Sequence, residues 1–269
     1  MAVDMAALAA DLAAESAVTR ALVAGLDEPG WHTPTPAAGW DIADQIGHLA
    51  YFDEAAVQSA VRPEEFRAEL AAAQDNGGID PGVIAARYRD RTGAELLAWF
   101  DTARTGLLGI FASLDPKTRL PWFGPAMSAA SSLTARLMET WAHTQDIADA
   151  LGVTREPTGR LRHVAHLGVG ARAFSYAVRG QIPPDTPVRI ELTAPDGALW
   201  TWGPPDADDR VTGTALDFSL LVTQRRHRDD LALIIDGRKA AEWMAIAQAF
   251  AGPPGAGRAP GASQESERR

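Results

Sequence analysis

Asp41-Ile42-Ala43-Asp44-Gln45-Ile46-Gly47-His48-Leu49-Ala50-Tyr51-Phe52-Asp53-Glu54-Ala55-Ala56 reads as one helix that buries one face. Asp41 is a good N-cap, because its short carboxylate can accept from the first backbone amides, which lack helical partners. Ile42, Ile46, Leu49, Asp53 and Ala56 then recur three or four residues apart, the period of a stripe on a helix. Upstream, Glu28 to Gly39 holds three prolines and two glycines and reads as a loop. Before it, Asp4 caps a first helix with Leu8, Leu12, Leu22 and Leu26 on one stripe. Downstream, a polar stretch runs from Arg62 to Gly78, and Asp80-Pro81 opens a long third helix that ends at Asp115-Pro116. Lys117 to Ala126 is an irregular loop; Ser128 caps a fourth helix that Gly152 stops after Leu151. A fifth helical segment, Gly159 to Val178, closes at Gly180 and Pro183-Pro184. Consecutive amphipathic helices of this kind predict an antiparallel four-helix bundle over 1–180.

After Pro187 the period drops from 3.6 to 2. Val188 to Leu192 alternates, Pro195-Asp196-Gly197 is a turn, and Leu199 to Trp202 is the second arm of a hairpin. Val211 to Gly213 reads as a third strand, Thr214 to about Gln224 as a helix, Leu231 to Ile235 as a strand or helical turn, and Gly237 to Phe250 as a last helix. The expected fold is α+β in two domains, the bundle at 1–180 and a small α+β domain at 185–251. A disordered tail is expected at 252–269, where Pro, Gly, Ser and charge dominate.

The chain has 269 residues, with 35 acidic and 25 basic side chains and a formal net charge of −10. An acidic balance argues against nucleic-acid binding through a general basic surface. There is no cysteine, which excludes disulfides, thiolate metal sites and cysteine nucleophiles. The first positive residue, Arg20, follows Asp4, Asp11 and Glu15, the reverse of a signal peptide's charge order. No run of 18 apolar residues occurs, so no membrane span is expected and a cytoplasmic location is the default.

Three constellations can carry chemistry. Glu139 and His143 are four apart in the fourth helix and share a face. With His48, beside Gln45 and Phe52 at the rim of the second helix's apolar arc, they form a two-His, one-carboxylate set suited to a metal with open positions. The same spacing also describes an ordinary surface ion pair. His163 and His166 are three apart and read as helix-surface residues or a weaker ligand pair. Gln224-Arg225-Arg226-His227-Arg228 is either a solvated cationic helix end or a clamp for a carboxylate. Trp31, Trp40 and Trp122 lie in or beside loops, as packing residues or as pocket walls.

Two stretches carry a family resemblance. Gly39-Trp40-Asp41-x-x-Asp44-Gln45-Ile46-Gly47-His48-Leu49 and Met138-Glu139-x-Trp141-x-His143-x-x-Asp146-Ile147 together resemble the metal-binding domain of mycothiol-dependent maleylpyruvate isomerases, within the DinB-like superfamily of four-helix bundles. Leu220 to Phe250 resembles the smaller C-terminal domain of that group. The resemblance implies zinc on His48, Glu139 and His143, and mycothiol as a low-molecular-weight thiol cofactor. It also implies isomerisation or S-transfer on a small electrophilic substrate. Arg225 and Arg226 become catalytic candidates that face the metal and bind a carboxylate. Two other readings stand beside it: a non-catalytic module binding metal or an apolar ligand, given some likeness of the C-terminal domain to sterol-carrier folds, and a metal-dependent hydrolase.

Overall fold

The computed structural model describes residues 3–75, 80–255 and 257–261. The chain divides into two compact units, Met1–Val153 and Thr154–Arg269.

The N-terminal unit contains α1 (Met5–Val23), α2 (Glu28–Trp31), α3 (Ile42–Val61), α4 (Pro63–Asp75), α5 (Pro81–Ala86) and α6 (Gly93–Phe111). A two-stranded ribbon, β1 (Arg119–Leu120) with β2 (Met127–Ser128), leads into α7 (Ala129–Ala150). Helix α3 packs on α6 and α7, and α1 packs on the same two, which closes a four-helix bundle. Ile42, Ile46, Leu49, Leu96, Phe100 and Ile147 meet in its apolar core, all at most 1% exposed. The caps expected at Asp4, Asp41, Asp80 and Ser128 all accept backbone amides.

The expected third helix is two helices. Thr92 and Glu95 form a reciprocal capping box that starts α6 afresh. Gly93 follows because a Cβ there would lie 2.1 Å from Trp31 Nε1, so the buried indole requires a glycine at the head of α6. The polar stretch after Arg62 is also helical as α4, with Pro63 at its start. Its expected end, Gly77-Gly78, lies outside the described residues.

The C-terminal unit begins with α8 (Leu161–Gly170) and α9 (Arg172–Ala177). It continues through β3 (Val188–Thr193), β4 (Leu199–Trp202), β5 (Asp209–Thr214), α10 (Ala215–Val222), β6 (Ile234–Asp236) and α11 (Arg238–Met244). The sheet order is β4-β3-β5-β6. Strand β3 is antiparallel to β4 and parallel to β5, with Ile190 opposite Val211, and β6 is antiparallel to β5. The hairpin turns at Gly197 (φ 84°), where Asp196 accepts from the Ala198 amide.

Three boundaries differ from the sequence reading. The helical segment after Gly159 belongs to the C-terminal unit, because α8 packs on α10 so closely that a Cβ on Gly168 would meet Val222 at 2.7 Å. The division therefore falls after Val153, not near residue 180. The last helix stops at Met244; its start is held by Asp209, whose carboxylate accepts from the Ala240 amide at 2.7 Å. The described part of the tail is tied down: the Gly261 amide donates to the Asp230 carboxylate at 2.9 Å, and Gln248 donates to the Gly252 carbonyl at 3.1 Å. The remainder of the expected tail, 256 and 262–269, lies outside the described residues. Among the described residues no helix is long and apolar enough to cross a membrane.

Candidate metal centre

Helices α3 and α7 place the three expected ligands together. Asp41 and Asp44 form a capping box at the head of α3, and Arg89 clamps Asp44 through Nε (2.9 Å) and Nη2 (2.8 Å). His48 follows in the second turn. Glu139 and His143 project from adjacent turns of α7. One ligand atom from each of His48, Glu139 and His143 lies within 4.8 Å of the others, the only such group of three among the described residues. Glu139 Oε2 is 3.1 Å from His143 Nε2 and 3.8 Å from His48 Nε2. The side chains are 9%, 20% and 10% exposed for His48, Glu139 and His143, so they form no surface ion pair.

The surroundings set the charge states. Burial, with the neighbouring His143 charge, lowers the His48 pKa from 6.5 to about 4. Burial pushes the Glu139 carboxyl up, but the two imidazoles that face it, His143 first, outweigh this and hold it well below the usual carboxylate range. A neutral imidazole beside an ionised carboxylate is the protonation state in which such groups bind a cation. Nitrogen and oxygen donors without a thiolate suit zinc and similar divalent ions, and three protein ligands leave a coordination position open. The residues present therefore fit the metal that the resemblance implies.

Aromatic rings enclose the cluster. Trp40 stacks on His143 with centroids 5.9 Å apart and lies 5.2 Å from His48; Phe52 lies 4.6 Å from His48. Phe52 in turn meets Trp122 and Phe123, which pack on Phe66. Trp40 and Trp122 thus belong to the aromatic wall, whereas Trp31 is a core residue against Gly93.

A buried ion lattice lies one turn beyond the candidate ligands, and the sequence reading missed it. Asp53, 0% exposed, accepts from Arg104 Nε at 2.6 Å and from Arg136 Nε at 2.9 Å. Arg104 also donates to Ser16 and Thr140, and Arg136 donates to the Leu49 carbonyl. The lattice joins α1, α3, α6 and α7 at the depth of the site. Its signal was available: Asp53 stands in an apolar stripe, and a charge there needs a buried counter-charge.

The remaining candidates belong to the C-terminal unit. Helix α10 ends in a Schellman turn with Gln224 at φ 59°, the Arg225 amide donating to the Leu220 carbonyl at 2.8 Å. Arg225 and Arg226 therefore lie past the helix end. Arg225 Nη1 donates to the Thr223 carbonyl, and Arg226 Nη1 to the Arg225 carbonyl, each at 2.7 Å. Arg226 lines a cavity of about 290 Å³ with Arg179, His227 and Arg228. His163 and His166 sit on α8, where His166 Nδ1 accepts from Trp202 Nε1 at 3.3 Å.

A four-helix bundle carrying a buried His/Glu/His cluster defines the class of protein. Residues 12–148 match the family described as mycothiol maleylpyruvate isomerase N-terminal domain. The chain belongs to that family. Residues 184–235, covering β3 to β5 and α10, match a second family described as wyosine base formation. Uncharacterized protein Rv0036c of Mycobacterium tuberculosis (strain ATCC 25618 / H37Rv) is 50% identical over 252 residues, 93% of this chain and 97% of its own. Uncharacterized protein MT0041 of strain CDC 1551 / Oshkosh matches to the same extent. Among solved structures, the mycothiol-dependent maleylpyruvate isomerase is similar at TM-score 0.57 and 13% identity, over 86% of this chain and 93% of that one. A histidine-to-alanine mutant of that enzyme is similar at 0.56 and 14% over the same shares. At such identities the likeness is one of fold.

Proposed function

We propose that this protein is a zinc-dependent enzyme that uses a low-molecular-weight thiol, mycothiol in its family's setting, for isomerisation or S-transfer on a small electrophilic substrate bearing a carboxylate. The observation that carries this reading is the buried convergence of His48, Glu139 and His143 on one point. When bound, a zinc ion lowers the pKa of a thiol at its open position and so makes the sulfur nucleophilic toward an electrophilic double bond. The chain supplies no thiol that competes for that position, because it has no cysteine. Trp40 and Phe52 exclude water around the ligands, and ionised Glu139 balances the charge of a cation there. Arg226 is the better candidate for a substrate or cofactor anion, since it lines a cavity with Arg179 and Arg228; Arg225 is the second.

The test is metal content followed by cobalt substitution. About one equivalent of metal, lost in His143→Ala, and a sulfur-ligation band on adding thiol are expected. Metal without a thiol effect would favour hydrolysis, and no metal would favour a binding module. Arg225→Gln and Arg226→Gln, made singly, should cost about tenfold or more in anion affinity where the arginine touches it. Unchanged binding in both sinks the clamp.

A further inference from the structure

Gln45 is completely buried on α3, one turn before His48. Its Oε1 meets His143 Nδ1, and its Nε2 donates to Thr35 Oγ1 at 2.8 Å. The Thr35 hydroxyl donates to the Trp40 carbonyl at 2.9 Å. That carbonyl also accepts the Thr35 amide at 2.8 Å, which closes the loop before α3.

The direction of this chain follows from its last member. A backbone carbonyl only accepts, so the Thr35 proton must point to Trp40. The Thr35 oxygen then accepts, so Gln45 must present its NH2 group to Thr35 and its oxygen to His143. An amide oxygen only accepts, so His143 must carry a proton on Nδ1, and in the neutral ring Nε2 is then a lone pair facing the Glu139 carboxylate. Without the relay the amide is free to turn over. His143 would then hold its proton on Nε2 and donate it to Glu139, a fully paired arrangement that needs no metal. His48 has no such director: its Nδ1 is buried without a hydrogen-bond partner among the described residues.

We infer that Thr35 and Gln45 are positioning residues that hold His143 in the Nδ1–H tautomer, with the Trp40 carbonyl as the fixed terminus, and so keep the proton off the nitrogen meant for a cation. The inference extends the zinc reading, but its first readout is independent of metal.

The experiment uses the full chain and three variants, Thr35→Val, Thr35→Ser and Gln45→Leu. Nitrogen-15 NMR of metal-free protein at mildly alkaline pH reports the His143 tautomer, and chelator competition reports zinc affinity. The parent and Thr35→Ser should show Nδ1–H. Thr35→Val should move the proton to Nε2 while the circular dichroism spectrum and melting temperature stay near the parent's. Zinc affinity should fall by about 10- to 100-fold in Thr35→Val and Gln45→Leu, the usual effect of losing a ligand's outer partner, and recover in Thr35→Ser. Parent protein with His143 protonated on Nε2, or Thr35→Val with the tautomer and zinc affinity unchanged, overturns the relay. Parent protein that binds no zinc yet shows Nδ1–H, with the proton moved to Nε2 in Thr35→Val, refutes the zinc reading alone. Misfolding of Gln45→Leu leaves the decision to the Thr35 pair.

Discussion

Asp53→Asn is the sharpest structural perturbation available beside the candidate metal centre. The substitution preserves shape but removes the charge that two guanidinium groups share. Arg104 and Arg136 are 4% and 3% exposed in their side chains, so neither can turn to water. Removing one partner of a buried ion pair costs about 3–5 kcal/mol, mostly because a charge is left uncompensated. The neutral amide still accepts one hydrogen bond, and Arg104 keeps Ser16 and Thr140, so the low end of that range is expected, about 3 kcal/mol. At about 2–4 °C per kcal/mol for a chain of this size, the melting temperature should fall by roughly 6–12 °C. Thermal unfolding followed by circular dichroism measures it. The control is Arg20→Ala, which breaks the exposed Arg20–Asp101 pair at 3.0 Å and should cost under about 1 kcal/mol. If Asp53→Asn costs no more than Arg20→Ala, the lattice does not hold the four helices and the argument fails.

Acidification should destabilise the metal-free protein. His48 takes up its proton at 6.5 when unfolded and only at about 4 when folded, so between those values the unfolded state binds more protons and stability drops as the pH is lowered. The shift corresponds to about 3 kcal/mol; Glu139, with its lowered pKa, adds a further loss below the usual carboxylate range. A melting temperature that stays flat from pH 6.5 to pH 4 contradicts this. Zinc at about 100 times its dissociation constant should stabilise the protein by about 2.7 kcal/mol, and differential scanning fluorimetry should show no such gain in His143→Ala. Gly93→Ala should destabilise by about 1–3 kcal/mol through overpacking against Trp31; a variant as stable as the parent would show that the indole can move aside.

Local chemistry was legible without a structure. The N-caps at Asp4, Asp41 and Ser128, the Pro195-Asp196-Gly197 turn and the i,i+4 spacing of Glu139 and His143 all involve groups a few residues apart, so they can be read from short stretches of residues. The break before α6 was equally local, in Thr92 and Glu95, but a continuous apolar stripe across it suggested one helix. Which buried face meets which was fixed by long-range packing alone. An amphipathic period shows that α8 buries a side, and it carries no label for α10 as the neighbour. The same limit hid the bonds from Asp53 to Arg104 and Arg136, 51 and 83 residues away, and the bond from Gln45 to His143 across 98 residues. Such pairs depend on where helices cross and at what height, which is set by packing of the whole bundle and not by any segment's own propensity.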